Sequence, residues 1–194
     1  MADRLRIVVV EKDRDRAMMI IDGLQDTGDH DVTVIGDDTG LARKLAAIDP
    51  DVVLIDLENP NRDVLEALTL ASSPQERPVA MFVDRSDEQV MRAAIEAGVS
   101  AYVVAGLARE RIRPVLTAAI ARFHMVARLR SELDATKAAL EERKTVDRAK
   151  GLLMKAKGIG EEEAYALLRR TAMDQGKKLA EIAAALITAL ELLK

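Results

Sequence analysis

A doubly wound α/β domain, continued by an all-helical C-terminal third, is the fold that this 194-residue sequence predicts. Two observations carry the first part. Short apolar runs rich in β-branched residues recur at regular spacing, and amphipathic stretches separate them. The runs are nearly continuous in apolarity, as parallel strands buried on both faces require. A third observation carries the second part: from Arg109 to Gly151 no glycine interrupts the chain, and its one proline is Pro114, near the start.

Taken in order, strands are expected at Leu5–Val10, Val32–Ile35, Val52–Ile55, Val79–Val83 and Ala101–Val104. Helices are expected around Arg14–Leu24, Gly40–Ile48, Asp63–Leu70 and Glu88–Ala97. This alternation implies a (βα)5 sheet, with chemistry outside the carboxyl ends of the strands. Glu11 and Asp13 follow strand one, Asp56 follows strand three and Asp84 follows strand four, so an acidic cluster is expected there.

From Arg109 the chain reads as a helical connector. Positions 112, 116, 119, 123, 126, 130, 133, 137 and 140 alternate spacings of four and three, and seven of the nine are apolar. That is a coiled-coil pattern, interrupted at Arg130 and Lys137, and it predicts a dimerising helix. Lys157-Gly158-Ile159-Gly160 breaks the helix. Glu161-Glu162-Glu163 then places acids in the next first turn, where the helix dipole favours them. Gly176 ends that helix. The last one carries Leu179, Ile182, Leu186, Leu190 and Leu193 as a core-facing stripe.

Charge is unevenly placed. Residues 1–106 hold 11 Lys/Arg against 21 Asp/Glu, and residues 107–194 hold 18 against 12. An acidic regulatory part and a basic part with a polyanionic partner are implied. The basic charge is densest between Arg143 and Lys157, with six cations and one acid. At 100° per residue, Val146, Ala149, Leu152, Leu153 and Ala156 fill one arc of about 120°. Arg143, Lys144, Arg148, Lys150, Gly151, Lys155 and Lys157 lie on the other arc, suited to an anion. The absence of cysteine excludes disulfides and thiolate metal sites, and no metal or cofactor site is expected. Apolar runs far shorter than the roughly 20 residues of a membrane span, with no signal peptide, predict a cytoplasmic protein. No nucleophile–base pair or phosphate-cradling glycine loop points to an enzyme.

The stretch from Leu133 to the end resembles the ANTAR domain, a three-helix RNA-binding module of antitermination regulators. The resemblance rests on Leu140 and Arg143, on Ala149-Lys150-Gly151-Leu152-Leu153-Met154, and on Glu161-Glu162-Glu163-Ala164-Tyr165. It continues through Leu168-Arg169, Ala172-Met173, Leu179, Ile182 and Ala183. It implies binding to a leader RNA with paired hairpins. The six cations would meet phosphates, Gly151 would let the ligand approach closely, and Tyr165 and Arg169, one turn apart, would meet unstacked bases.

The first half is similar to the receiver domain of two-component response regulators, a flavodoxin-like fold. Val8-Val9-Val10-Glu11, Pro50-Asp51-Val52-Val53-Leu54-Ile55-Asp56-Leu57 and Ala97-Gly98-Val99-Ser100-Ala101-Tyr102-Val103-Val104 carry the similarity. Asp56 falls on the phosphoacceptor position. Receivers hold Mg²⁺ with two acids after strand one, but Glu11-Lys12 stands here. Their Thr/Ser after strand four aligns with Asp84, and their Lys after strand five aligns with Ala105. The changes imply that aspartyl-phosphate switching is largely lost, with Lys12 balancing the acids.

Phe82-Val83-Asp84-Arg85-Ser86-Asp87 and Ala101-Tyr102-Val103-Val104-Ala105-Gly106-Leu107 resemble the NasT-type subset, which controls nitrate and nitrite assimilation and is held by a separate sensor protein. The expected organisation is a degenerate receiver at 1–120, a helical connector at 109–142 and an ANTAR domain at 133–194. The expected partners are leader RNA, a sensor or inhibitor protein, and a second copy in the active dimer. The alternative is a conventional phosphorylation-controlled response regulator acting on nucleic acid through the same C-terminal domain.

Overall fold

A computed structural model describes residues 4–26, 28–37, 39–58, 62–105 and 107–192. Gly106 and Leu193 lie outside the described residues. The chain divides into two units, 1–128 and 129–194.

The first unit is a five-stranded parallel sheet in the order β2-β1-β3-β4-β5. Its strands are β1 (Arg6–Val10), β2 (Asp31–Ile35), β3 (Val52–Leu57), β4 (Val79–Val83) and β5 (Ala101–Val104). The helices between them are α1 (Arg14–Gln25), α2 (Leu41–Ile48), α3 (Arg62–Ser72) and α4 (Glu88–Glu96). Alternate residues of each central strand feed two cores. Val8, Val10, Val53, Ile55 and Met81 pack with Leu41, Leu45, Leu65, Leu68 and Val90 of α2, α3 and α4. Ile7, Val9, Leu54 and Phe82 pack on the opposite face with Ile20 and Leu24 of α1. The expectation of burial on both faces holds for β1, β3 and β4 but not for β2, where Val34 is exposed, or β5, which is only partly buried. The strand order puts β2 and β5 at the edges, where one flank has no neighbour.

Helix α5 (Arg109–Lys157) is a single 49-residue helix. Its start belongs to the first unit: Ile112, Leu116 and Ala119 are buried in the core that α1 shares. Gly23 of α1 makes that approach possible, since a Cβ there would lie 2.7 Å from Ile112 Cγ1 and 3.0 Å from the Arg109 carbonyl oxygen. Arg109 donates to both carboxylate oxygens of Asp26 at 2.9 and 3.0 Å, pinning the same contact. The expected coiled-coil seam is corrected here, because its first three positions face the core of the first unit. Farther along, Leu129 replaces Arg130 on the exposed apolar stripe, which runs through Met125, Leu129, Leu133 and Leu140.

The second unit comprises the end of α5 with α6 (Glu161–Gln175) and α7 (Leu179–Leu192). Ala149 and Leu153 of α5 pack with Ala164, Leu168 and Ala172 of α6 and Ile182, Ala183 and Ile187 of α7. Ala156, placed on the apolar arc by periodicity, is exposed. Gly176 caps α6 in the left-handed region at φ 61°, where a side chain would be strained.

Candidate functional site

Two sites stand out, one at the carboxyl edge of the sheet and one on the three-helix unit. In the first, β1 and β4 end one residue before Glu11 and Asp84, while Asp56 is the penultimate residue of β3. Neighbouring parallel strands therefore bring Glu11, Asp56 and Asp84 together around one side chain. The cation that pairs with Asp56 and Asp84 is Arg16, on the first turn of α1, while the expected Lys12 lies on the exposed side of the loop before it.

Its guanidinium is a two-sided fork. Nε and Nη2 donate to the two carboxylate oxygens of Asp56 at 2.7 and 2.8 Å. Nη1 and Nη2 donate to those of Asp84 at 3.0 and 3.1 Å. Glu11 Oε2 lies 3.6 Å from Nε. The Asp56 side chain is wholly buried and that of Arg16 is 20% exposed. These contacts raise the Arg16 pKa, with the Asp56 hydrogen bond as the first cause.

Asp13, expected in the acidic cluster, has another task. It is the N-cap of α1, its Oδ1 accepting from the Asp15 and Arg16 amides at 2.9 Å. Its own amide donates to Glu11 Oε1 at 2.7 Å. The sequence signal for Arg16 was the cap itself: Asp13 starts a helix whose third residue is a cation, placed one turn from the acids.

Burial, and then the adjoining Asp56 carboxylate, push the Glu11 carboxyl up from 4.5 to about 7. Folded Glu11 therefore keeps its proton where the unfolded chain has lost it. Its contribution to stability is full below its unfolded value of 4.5 and is lost as pH rises through about 7. The melting temperature of the first unit should fall between about pH 5 and about pH 8. Glu11→Gln should remove that slope; a slope unchanged in the variant would contradict the assignment.

Divalent-metal chemistry of the receiver kind does not fit these residues. Lys12 stands where a carboxylate ligand is needed, and the oxygens of Asp56 and Asp84 already accept from a guanidinium. Ala105 follows β5 in the left-handed region at φ 54° and brings no charge.

On the second unit the basic residues divide into two groups. Arg143, Lys144, Lys155 and Lys157 are exposed. Lys144 pairs with Glu141 at 2.7 Å, one turn back on its own helix. Among the described residues no ion pair engages Lys155 or Lys157. Lys150 is different: its side chain is only 15% exposed and its Nζ contacts Asp147 at 2.7 Å and Glu161 of α6 at 2.8 Å. Arg148 pairs with Glu191 of α7. Two cations expected to face an anion thus also tie α5 to α6 and α7. The acids that hold them were separated in sequence by 11 and 43 residues, out of reach of a periodicity argument.

Gly151 is half-buried, and a Cβ there would meet nothing within 4 Å. No packing inside the unit requires glycine at that point. Tyr165, 43% exposed, and Arg169, also exposed, lie one turn apart on α6. Among the described residues no helix is long and apolar enough to cross a membrane.

Comparison with known proteins agrees with both halves. The ANTAR domain model matches residues 134–187. Transcriptional regulatory protein PdtaR of Mycobacterium tuberculosis is 29% identical over 180 residues, covering 91% of this chain and 88% of that protein. The nitrate regulatory protein of Klebsiella oxytoca is 45% identical over 65 residues, which are 34% of this chain and 16% of that one. The signal receiver domain of a modulated diguanylate cyclase from Desulfovibrio desulfuricans superposes with a TM-score of 0.53 at 19% identity, covering 63% of this chain and 98% of that domain. The signal receiver domain of a LuxO repressor protein from Vibrio parahaemolyticus gives 0.52 at 15% identity, covering 66% and 98%. These structures are alike in fold. The chain carries a receiver fold followed by an ANTAR domain.

Proposed function

We propose that this ANTAR-domain response regulator binds a leader RNA with two hairpins and thereby favours transcription past a terminator. The observation that carries the reading is the exposed cationic face of α5 inside the residues that the ANTAR model matches. A second face supports RNA over duplex DNA: Tyr165 and Arg169 offer a ring and a planar cation for stacking on unpaired loop bases. In a helix-turn-helix the basic residues sit at the start of a recognition helix, whereas here they run along the end of α5. Single-round transcription through a leader with two hairpins and a terminator tests the reading. Added protein should raise read-through, and a leader with disrupted hairpins should abolish the effect.

Gly151 gives this reading a sharp expectation. Glycine inside a helix costs roughly 1 kcal/mol relative to alanine, and nothing in the unit occupies the space a methyl would fill. Gly151→Ala should therefore raise the melting temperature while weakening RNA binding, as a surface kept bare for a ligand requires. A variant that gains stability and binds RNA equally well would remove Gly151 from the interface.

Control by a partner protein rather than by phosphorylation is the regulation we infer. The Arg16 fork on Asp56 and the Ala105 position support it, and so does the charge split between the halves. A role in nitrate control is supported by the match to the Klebsiella nitrate regulatory protein, within the output third of the chain. In this scheme the sensor protein and RNA compete for the basic face, so adding the sensor without its signal displaces RNA.

A further inference from the structure

We propose that Arg16 is a tethered cation standing in for the receiver's divalent metal, joining the carboxyl ends of β1, β3 and β4 to α1 and holding Asp56 in one salt-bridged state. The proposal deepens the reading of a receiver that does not switch by phosphorylation and rests on it. It names the side chain that closes the site.

The geometry is specific to a guanidinium. Four of its five N–H donors reach the two oxygens of Asp56 and the two of Asp84. A lysine ammonium is a point charge and cannot form two parallel forks at once. Both Asp56 oxygens accept from Arg16, so the atom that would attack a phosphoryl group is already committed. Burial strengthens the bond, because Asp56 is fully shielded from water and an unpaired carboxylate there is costly. The backbone is prepared for the task as well. The Asp13 cap accepts from the Arg16 amide while the Asp13 amide donates to Glu11, which fixes the turn that carries the fork.

A metal ion binds and leaves, whereas a side chain at the same carboxylates is present in every molecule. The acids of this edge are thus retained as partners of Arg16. Signals must then act on the chain through another surface.

Calorimetric melting of the full chain with and without millimolar Mg²⁺ tests the proposal. The parent protein should not respond to Mg²⁺. Arg16→Ala should melt roughly 10 °C lower and regain most of that loss with Mg²⁺, as the freed carboxylates take up a replacement cation. Arg16→Lys should remain destabilised. Arg16→Ala combined with Asp56→Asn and Asp84→Asn should melt near the parent without Mg²⁺, and it also serves where the single variant fails to fold. An Arg16→Ala protein that melts like the parent would overturn the proposal. So would a loss that neither Mg²⁺ nor the two asparagines relieve, since Arg16 would then be only a packing residue. The underlying reading fails separately: a parent protein stabilised by Mg²⁺ and phosphorylated at Asp56 by acetyl phosphate contradicts phosphorylation-independent control itself.

Discussion

Replacing Arg143, Lys144, Lys155 and Lys157 together by glutamine is expected to weaken binding to a two-hairpin RNA by about 10²- to 10³-fold near physiological salt. Each phosphate contact releases counterions, so four lost contacts should also flatten the dependence of log K on log salt by about 3. These four side chains are exposed and outside the helical core, so circular dichroism and melting should stay near those of the parent. Neutralising Lys150 and Arg148 should behave differently. Those two changes also cut the ties to Glu161 and Glu191 and should loosen the three-helix unit. Filter binding over a salt series distinguishes the cases. A four-site variant that binds as tightly as the parent would make this face a solvated surface and nothing more.

The second large effect concerns α5. Met125, Leu129, Leu133 and Leu140 are each about half exposed. At 100° per residue they form one stripe, roughly a quarter turn from the face that carries Ile112, Leu116 and Ala119. A stripe of this kind is suited to a second copy of the same helix. A dimer carries two RNA-binding modules, and a leader with two hairpins can engage both. The second contact then occurs at high effective concentration and multiplies affinity by about 10²–10⁴ without any new interface. Leu129→Arg with Leu133→Arg should give a monomer by sedimentation and lose that factor for the two-hairpin RNA. Affinity for one isolated hairpin should hardly change. A monomeric variant with full affinity for the paired hairpins would show that one module reads both.

Much of the fold was legible in the sequence. Val52–Ile55 and Val79–Val83 are continuous apolar runs because both faces of β3 and β4 meet helices, and that burial leaves a plain mark. The edge strands were harder: Asp31–Ile35 has the same β-branched residues, yet only the sheet order shows that Val34 meets water. The connector misled for a related reason. An apolar spacing of three and four is the same whether the helix packs on its own domain or on another helix, and Ile112 to Ala119 do the former.

The sites were legible in their acids and cations but not in their pairings. Asp56, Glu11 and Asp84 follow from strand ends, whereas the choice between Lys12 and Arg16 depends on which side chain the first turn of α1 aims at them. The helical wheel places Lys150 and Arg148 on the polar arc. It could not show that acids on α6 and α7 reach them, because that is a property of packing between helices. Gly151 is a glycine among cations in the sequence, and only the empty space beside it shows that packing is not the reason for it.

The central claim is that the C-terminal module reads RNA. Fluorescence anisotropy of the full chain with a labelled two-hairpin leader, competed at fixed salt by the same leader, one hairpin or duplex DNA of equal charge, tests it most directly. The account predicts that the two-hairpin leader competes best and that duplex DNA is weaker by at least about 100-fold, because flexible loop bases and not phosphates alone are read. Duplex DNA that displaces the leader at equal concentration would contradict it, leaving only a non-specific polyanion surface.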